Sequence, residues 1–244
     1  MGDQGITLWR QIGESLTQEI DSGHLATNQR LPSSDALASR FGVNRHTVRK
    51  AIAHLQAEGK VRIERGRGTY AVVNPLNYNL GPRQLFEENL AKHNLAPSRS
   101  VISVVECYPP AKAAEALEIP ANESVVLVAI LGEADGAPIN YGCHYVVSSR
   151  LPGIAESFRS FLGKRRQTFS FTSLLKACGS SEYQRRNIRI RSRLPENEEA
   201  RHLNIASTEF VLVTEVTSVG DGDKPLTHAE TCFASSRVEL TINF

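Results

Sequence analysis

Arg45, His46, Thr47 and Arg49 crowd the opening turns of one helical stretch, and residues of these types at this spacing suit the reading of DNA. An arginine fork can bridge two acceptors on a guanine edge, and threonine or histidine can reach a base or a phosphate. Placed at a helix N-terminus, all of them can enter a major groove together. A second basic group follows at Arg65, Gly66 and Arg67, where Gly66 and Gly68 permit a tight tip that approaches phosphates or a minor groove closely. Lys50 and Lys60 beside these groups read as surface charges.

The surrounding pattern supplies the elements that would hold such residues. Val48, Ala51, Ile52 and Leu55 form the apolar stripe of the helix that carries the first group, and Asn44 stands at its N-cap position. Before it, Ser33 or Ser34 caps a short helix whose apolar residues Leu37, Ala38 and Phe41 fall three and four apart, and Gly42 permits its exit. Leu8, Ile12, Leu16 and Ile20 recur every four residues on a supporting helix that ends near Gly23. After Gly59 the helical period gives way to alternation, with Val61 and Ile63 inward and Thr69 to Val72 returning. Together these predict a winged helix-turn-helix over residues 1–74.

Charge separates this region from the remainder. Residues 31–73 hold eight Lys and Arg against three Asp and Glu, whereas 75–244 hold eighteen against nineteen, so only the first part is prepared for a polyanion. The chain of 244 residues, 41% hydrophobic, suits one small and one medium core. It shows neither a charged-then-apolar leader nor a run of eighteen apolar residues, which predicts a cytoplasmic protein with no membrane partner. Cys107, Cys143, Cys178 and Cys232 are far apart and form no CxxC pair, so free thiols are expected, with no disulfide, metal or cofactor. The turn-rich tract from Asn74 to Pro82 reads as a linker at 75–82, leaving 83–244 as a second domain.

That second domain begins with a helical pattern at 84–92 and an alternating strand at 101–108, and then repeats itself. PPAKAAEALEIPANESVVLV from Pro109 aligns at an offset of 86 with PENEEARHLNIASTEFVLV from Pro195, and Asp135-Gly136 falls on Asp221-Gly222. After one inserted residue, Pro138 matches Pro225 and Ser148-Ser149-Arg150 matches Ser235-Ser236-Arg237. Each copy reads as helix, strand, turn and strand, which predicts a pseudo-twofold α+β domain: an antiparallel sheet with helices on one side and a small-molecule cleft between the halves. Along 185–193, strand alternation would put Arg185, Arg189, Arg191 and Arg193 on one face and turn Ile188 and Ile190 to the core.

LPSSDALASRFGVNRHTVRKAIAHLQAEG followed by GRGTY resembles the GntR family of bacterial regulators over residues 6–73. The resemblance implies base and phosphate contacts from Arg45, Thr47 and Arg49, with Arg65, Gly66 and Arg67 as the wing. Ser34-Asp35 departs from the family pattern, and no phosphate contact is expected from Asp35. The second domain resembles the UTRA domain of HutC-type members, which shares the chorismate lyase fold. NYNLGPRQLFEENL, LGEADGAPINYGCHY and CFASSRVEL resemble PhnF-type regulators associated with phosphonate utilisation. By that resemblance the chain is an effector-responsive repressor of phosphonate or related metabolite genes, a homodimer on an inverted-repeat operator. His144, Tyr183, Arg189 and Arg193 would then touch a phosphonate or other small polar effector. Leu85, Glu87, Ile130 and Cys232 replace residues of the family's anion pattern, so simple phosphonates are expected to bind poorly. Two other readings stand beside this one: a DNA-binding dimer with a ligand-free sensor, and an enzyme on the lyase-like fold. The sequence offers no nucleophile–base pair, metal-ligand spacing or phosphate-binding glycine loop for the latter, and no catalytic residue is assigned.

Overall fold

The computed structural model describes residues 7–21, 25, 29–64, 66–72, 75–83 and 85–243. The chain forms two compact units that meet in sequence at Pro75 and Leu76. The first unit contains helices α1 (Leu8–Asp21), α2 (Ser34–Phe41) and α3 (Arg45–Ala57), then the antiparallel hairpin of β1 (Val61–Glu64) and β2 (Gly68–Ala71). Ile12, Leu16, Ile20, Leu37, Val48, Ala51, Ile52 and Leu55 share one core. Ser33 caps α2 through the Ala36 amide at 3.1 Å, Gly42 ends it in the left-handed region at φ 62°, and Asn44 caps α3 through the His46 amide. Each side-chain cap is worth about 1 kcal/mol.

Two apolar residues expected in this core lie outside it. Leu8, in the first turn of α1, is 60% exposed, and its neighbour Trp9 makes the contact with α3 through His54 and Lys50. Ile63 is 42% exposed, because only the base of the hairpin, at Val61 and Ala71, meets the helices. Gly68 is required at the return of that hairpin: its φ is 137°, and a Cβ there would stand 2.5 Å from Arg30 Nε.

The second unit is built on a six-stranded antiparallel sheet. The strands of the unit are β3 (Leu76–Asn79), β4 (Pro97–Cys107), β5 (Val125–Ala134), β6 (Ala137–Val146), β7 (Gln184–Arg193), β8 (Val211–Val219), β9 (Pro225–Ala234) and β10 (Val238–Thr241). The large sheet runs β4-β5-β6-β9-β8-β7, a palindrome of the two repeats, with β6 against β9 at the centre. Cys143 pairs there with Glu230, its own counterpart in the other copy. β3 and β10 form a separate parallel pair. The segment expected as a free linker, 75–82, is therefore largely part of this unit. Leu76, Tyr78 and Leu80 alternate into a core with Phe86, Phe233 and Val238, so the flanking turn formers bracket a strand.

Helices cover both faces of the sheet, and the expectation of one covered side is corrected. α5 (Ala111–Leu117) and α8 (Asn197–Leu203) pack on one face, Leu117 with Val125 and Val147, and Leu203 with Val213 and Tyr141. α4 (Phe86–Ala91), α6 (Ile154–Arg159) and α7 (Phe171–Ala177) lie on the other, over even-numbered residues such as Val126, Val128 and Leu212. The inner strands β5, β6, β8 and β9 bury residues on both sides, which requires cover on both sides. Among the described residues no helix is long and apolar enough to cross a membrane.

The matched SSR triplets of the repeat have a structural purpose. Arg150 donates to the carbonyls of Leu117 and Glu118 at the end of α5 and to that of Pro225 at the start of β9. Arg237 donates to Leu203 and Asn204 at the end of α8 and to Pro138 at the start of β6. Each guanidinium thus caps the helix of its own copy and grips the central strand of the other. Glu118 and Asn204, the capped ends, both take left-handed conformations. Arg237 is 7% exposed, and burial pulls its pKa below the ordinary arginine value. We expect Arg237→Ala to lower unfolding free energy by about 3 kcal/mol in urea titrations. The partly exposed Arg150→Ala should cost less.

Candidate functional site

Two sites emerge, one in each unit. In the first, the apolar stripe of α3 faces α1 and α2, which turns Arg45, His46 and Arg49 to solvent with Thr47 half-buried beside them. Lys50 lies over the Trp9 ring at 4.9 Å. At the hairpin tip Gly66 and Arg67 are exposed, and Arg67 approaches Glu64 at 3.7 Å; Arg65 lies outside the described residues. Asp35, the departure in α2, forms an ion pair with Arg45 at 2.5 Å. It therefore orients a guanidinium on the open face of α3. We expect Arg45→Ala and Arg49→Ala each to weaken specific DNA binding by about 1 to 3 kcal/mol. Asp35→Ala, by freeing Arg45, should raise affinity for random DNA and steepen its salt dependence by about one in slope. Fluorescence anisotropy over a salt series reads both effects.

The second site is a cavity of about 130 Å³ on the sheet face that carries α4 and α7. Its walls include Tyr78, Leu80, Leu85, Phe86, Glu87, Arg99, Ile130, His144, Thr172, Tyr183, Arg185, Thr214, Ser218, Thr227 and Thr231. Arg99 is wedged between Phe86 and Phe169, 4.5 and 5.7 Å from the ring centres, and its Nη2 lies 3.2 Å from Glu87 Oε1. Burial lowers the pKa of Arg99, and the Glu87 charge works against that shift. Arg185 Nη1 donates to the Gly81 carbonyl at 2.7 Å. The Tyr183 hydroxyl is 3.1 Å from Thr227 Oγ1. The His144 ring packs on Phe171 at 5.0 Å, and burial together with the Arg99 charge holds its pKa down at about 3. A small anion would find guanidinium and hydroxyl donors here, with a neutral imidazole between them.

The two arginines are the same position in the two copies. Arg99 pairs across to Gly132 of β5 and Arg185 to Ser218 of β8, both at the 86-residue offset of the repeat. Phe86 and Phe171 are likewise the first residues of α4 and α7, followed by Glu87 and Thr172, and all four line the cavity. The repeat therefore extends upstream of Pro109, and the cavity sits where its halves converge.

Of the residues named from sequence for this site, His144 and Tyr183 line the cavity, but Arg189 and Arg193 do not. The register of β7 against β8 shifts between Arg185 and Asn187, so this bulge sends Arg185 to the cavity face and the later arginines to the other. Arg193 there binds both oxygens of Glu199, at 2.6 and 2.8 Å, and Glu230 at 2.9 Å. Burial opposes the charge on Glu199, yet the hydrogen bonds from Arg193 and the Cys232 thiol outweigh it and hold its pKa at about 2. Glu199, Glu230 and Cys232 stand close enough to share a metal, but Arg193 already supplies their countercharge. Cys232 is thus on the face opposite the cavity and is no part of an anion site, whereas Leu85, Glu87 and Ile130 are walls of it. Arg99 lies ahead of the strand that the sequence pattern marks, because β4 begins at Pro97, four residues before the apolar alternation.

The sequence profile described as "Bacterial regulatory proteins, gntR family" matches residues 8–71, and that of the UTRA domain matches residues 92–239. The chain belongs to the GntR family of bacterial regulatory proteins, in the branch whose DNA-binding unit is followed by a UTRA effector domain, and it is a transcriptional regulator. Among its relatives, the "Probable transcriptional regulator PhnF" of Escherichia coli (strain K12) is 27% identical over 240 residues, covering 97% of this chain and 95% of that protein. The histidine utilization repressor of Pseudomonas putida is 26% identical over 250 residues, covering 100% of this chain and 94% of that protein. The crystal structure of PhnF from Mycobacterium smegmatis shares the fold, with a TM-score of 0.63 at 18% identity over 96% of this chain and 98% of that one.

The low pKa of His144 has a consequence for stability. In the unfolded chain it takes up a proton below pH about 6.5, whereas in the folded protein it resists doing so down to about 3. Stability is therefore lost as pH falls through this window. Between pH 6.5 and 5 we expect this group to remove about 1 kcal/mol per pH unit, measured as a steeper fall in urea stability for the wild type than for His144→Gln.

Proposed function

We propose that the protein is a repressor that binds an inverted repeat as a homodimer in the cytoplasm and releases it when a small anionic metabolite occupies the UTRA cavity. The observation that carries this reading is the convergence of Arg99 and Arg185, from equivalent strands of the two copies, on a cavity rimmed by hydroxyls. Two guanidinium groups set among aromatic and hydroxyl neighbours suit an anionic ligand, which favours an occupied sensor over a ligand-free one. A single winged helix contacts few phosphates, and a dimer doubles those contacts over half-sites about 34 Å apart. The similarity to a histidine utilization repressor supports repression.

The sensor also has a short route to the DNA-binding unit. The wing strand β2 ends at Ala71, β3 begins at Leu76, and Tyr78 and Leu80 already line the cavity. Effector and operator must weaken one another reciprocally if they are coupled. The test is to select an operator from random duplex DNA and to confirm the dimer by sedimentation. Operator release is then titrated with carboxylates, phosphate esters and phosphonates. We expect the responding compound to lose its effect on Arg99→Met and Arg185→Met while operator affinity is retained. Unaltered response in both variants would place the effector elsewhere.

A further inference from the structure

Arg99 and Arg185, and Phe86 and Phe171, stand at matched positions of the two copies, but the charge of the cavity is not matched. At the second position of α4 stands Glu87, where α7 carries Thr172. Glu87 Oε1 is out of reach of solvent and accepts no hydrogen bond among the described residues, although Arg99 Nη2 lies 3.2 Å away, off the line a hydrogen bond needs. A buried carboxylate oxygen without a donor is unfavourable, and a donor delivered by a ligand removes that penalty. Among the charged walls, Arg83, Arg99 and Arg185 are cations and Glu87 is an anion, while His144 stays neutral. A bare dianion would gain from the arginines and be repelled by Glu87.

We infer that the effector is a small zwitterion, whose acid group lies against Arg99 and Arg185 and whose ammonium donates to Glu87. This rests on the effector reading of the cavity given above. A cavity of about 130 Å³ has room for an ammonium and an acid joined by a short spacer and for few heavy atoms beyond them. Glu87 thereby selects among acids, and the arginines bind them. The ammonium also takes over from Arg99 as a countercharge of Glu87, freeing that guanidinium to turn fully to the acid group.

Calorimetry with the full-length protein tests this through two matched pairs, β-alanine against propionate and 2-aminoethylphosphonate against ethylphosphonate. In at least one pair the amine-bearing member is expected to bind at least about tenfold more tightly, equivalent to about 1.4 kcal/mol. Glu87→Gln should bring the members of that pair to within about threefold of each other. If propionate or ethylphosphonate binds the wild type as well as its amine-bearing partner, the anion cavity stands and the zwitterion is overturned. A preference that survives in both Glu87→Gln and Glu87→Thr places the ammonium elsewhere and overturns it too. Silence from all four compounds also overturns it, and the cavity itself is then judged by the Arg99 and Arg185 variants. Circular dichroism of the Glu87 variants shows that any loss occurs in a folded protein.

Discussion

Two guanidinium groups hold the UTRA unit together at the points where its halves would otherwise part. A helix leaves its last carbonyls without amide partners, and Arg150 and Arg237 satisfy those carbonyls while reaching the first residue or two of the opposite central strand. Only arginine has enough donors in one plane to serve three carbonyls at once. The interface so clamped is the β6–β9 pair, and everything else follows from its position. Because Cys143 faces Glu230 across that pair, the pseudo-twofold axis passes through the centre of the sheet, and equivalent residues approach it from both sides.

The pleat of the sheet then sorts chemistry by face. On one side Lys112, Arg191 and Arg193 balance Glu199, Glu215 and Glu230 in a network in which each charge has a named partner. On the other, Arg99 and Arg185 meet hydroxyls, aromatic rings and one carboxylate, with space left over. The same residue type thus joins a network of carboxylates on one face and lines a cavity on the other. A single bulge in β7 decides which arginine goes where.

The winged helix was legible nearly residue by residue, because caps, apolar spacing and turn glycines are local signals that act within a few positions. Ser33, Gly42 and Asn44 do what their types suggest. Leu8 and Ile63 show where this stops, since periodicity says which way a side chain points but not whether another element extends far enough to cover it. The repeat was legible for the same reason that the arginine clamps exist: both copies must solve one problem. The cavity was only half legible. His144 and Tyr183 line it, but Arg99 lies ahead of the visible alternation, Arg185 is displaced by a bulge that leaves no mark in the sequence, and β3 is stabilised by a partner more than 150 residues away.

The difference between Glu87 and Thr172 has a bearing on ancestry. In a symmetric pair of identical half-chains, any substitution at the axis appears on both sides, so such an assembly can present two glutamates or two threonines but never one of each. Joining the halves in one chain removes that restriction. The carboxylate of Glu87 opposite Thr172 is a change that two diverged halves in one chain permit, and with it the two ends of the cavity differ.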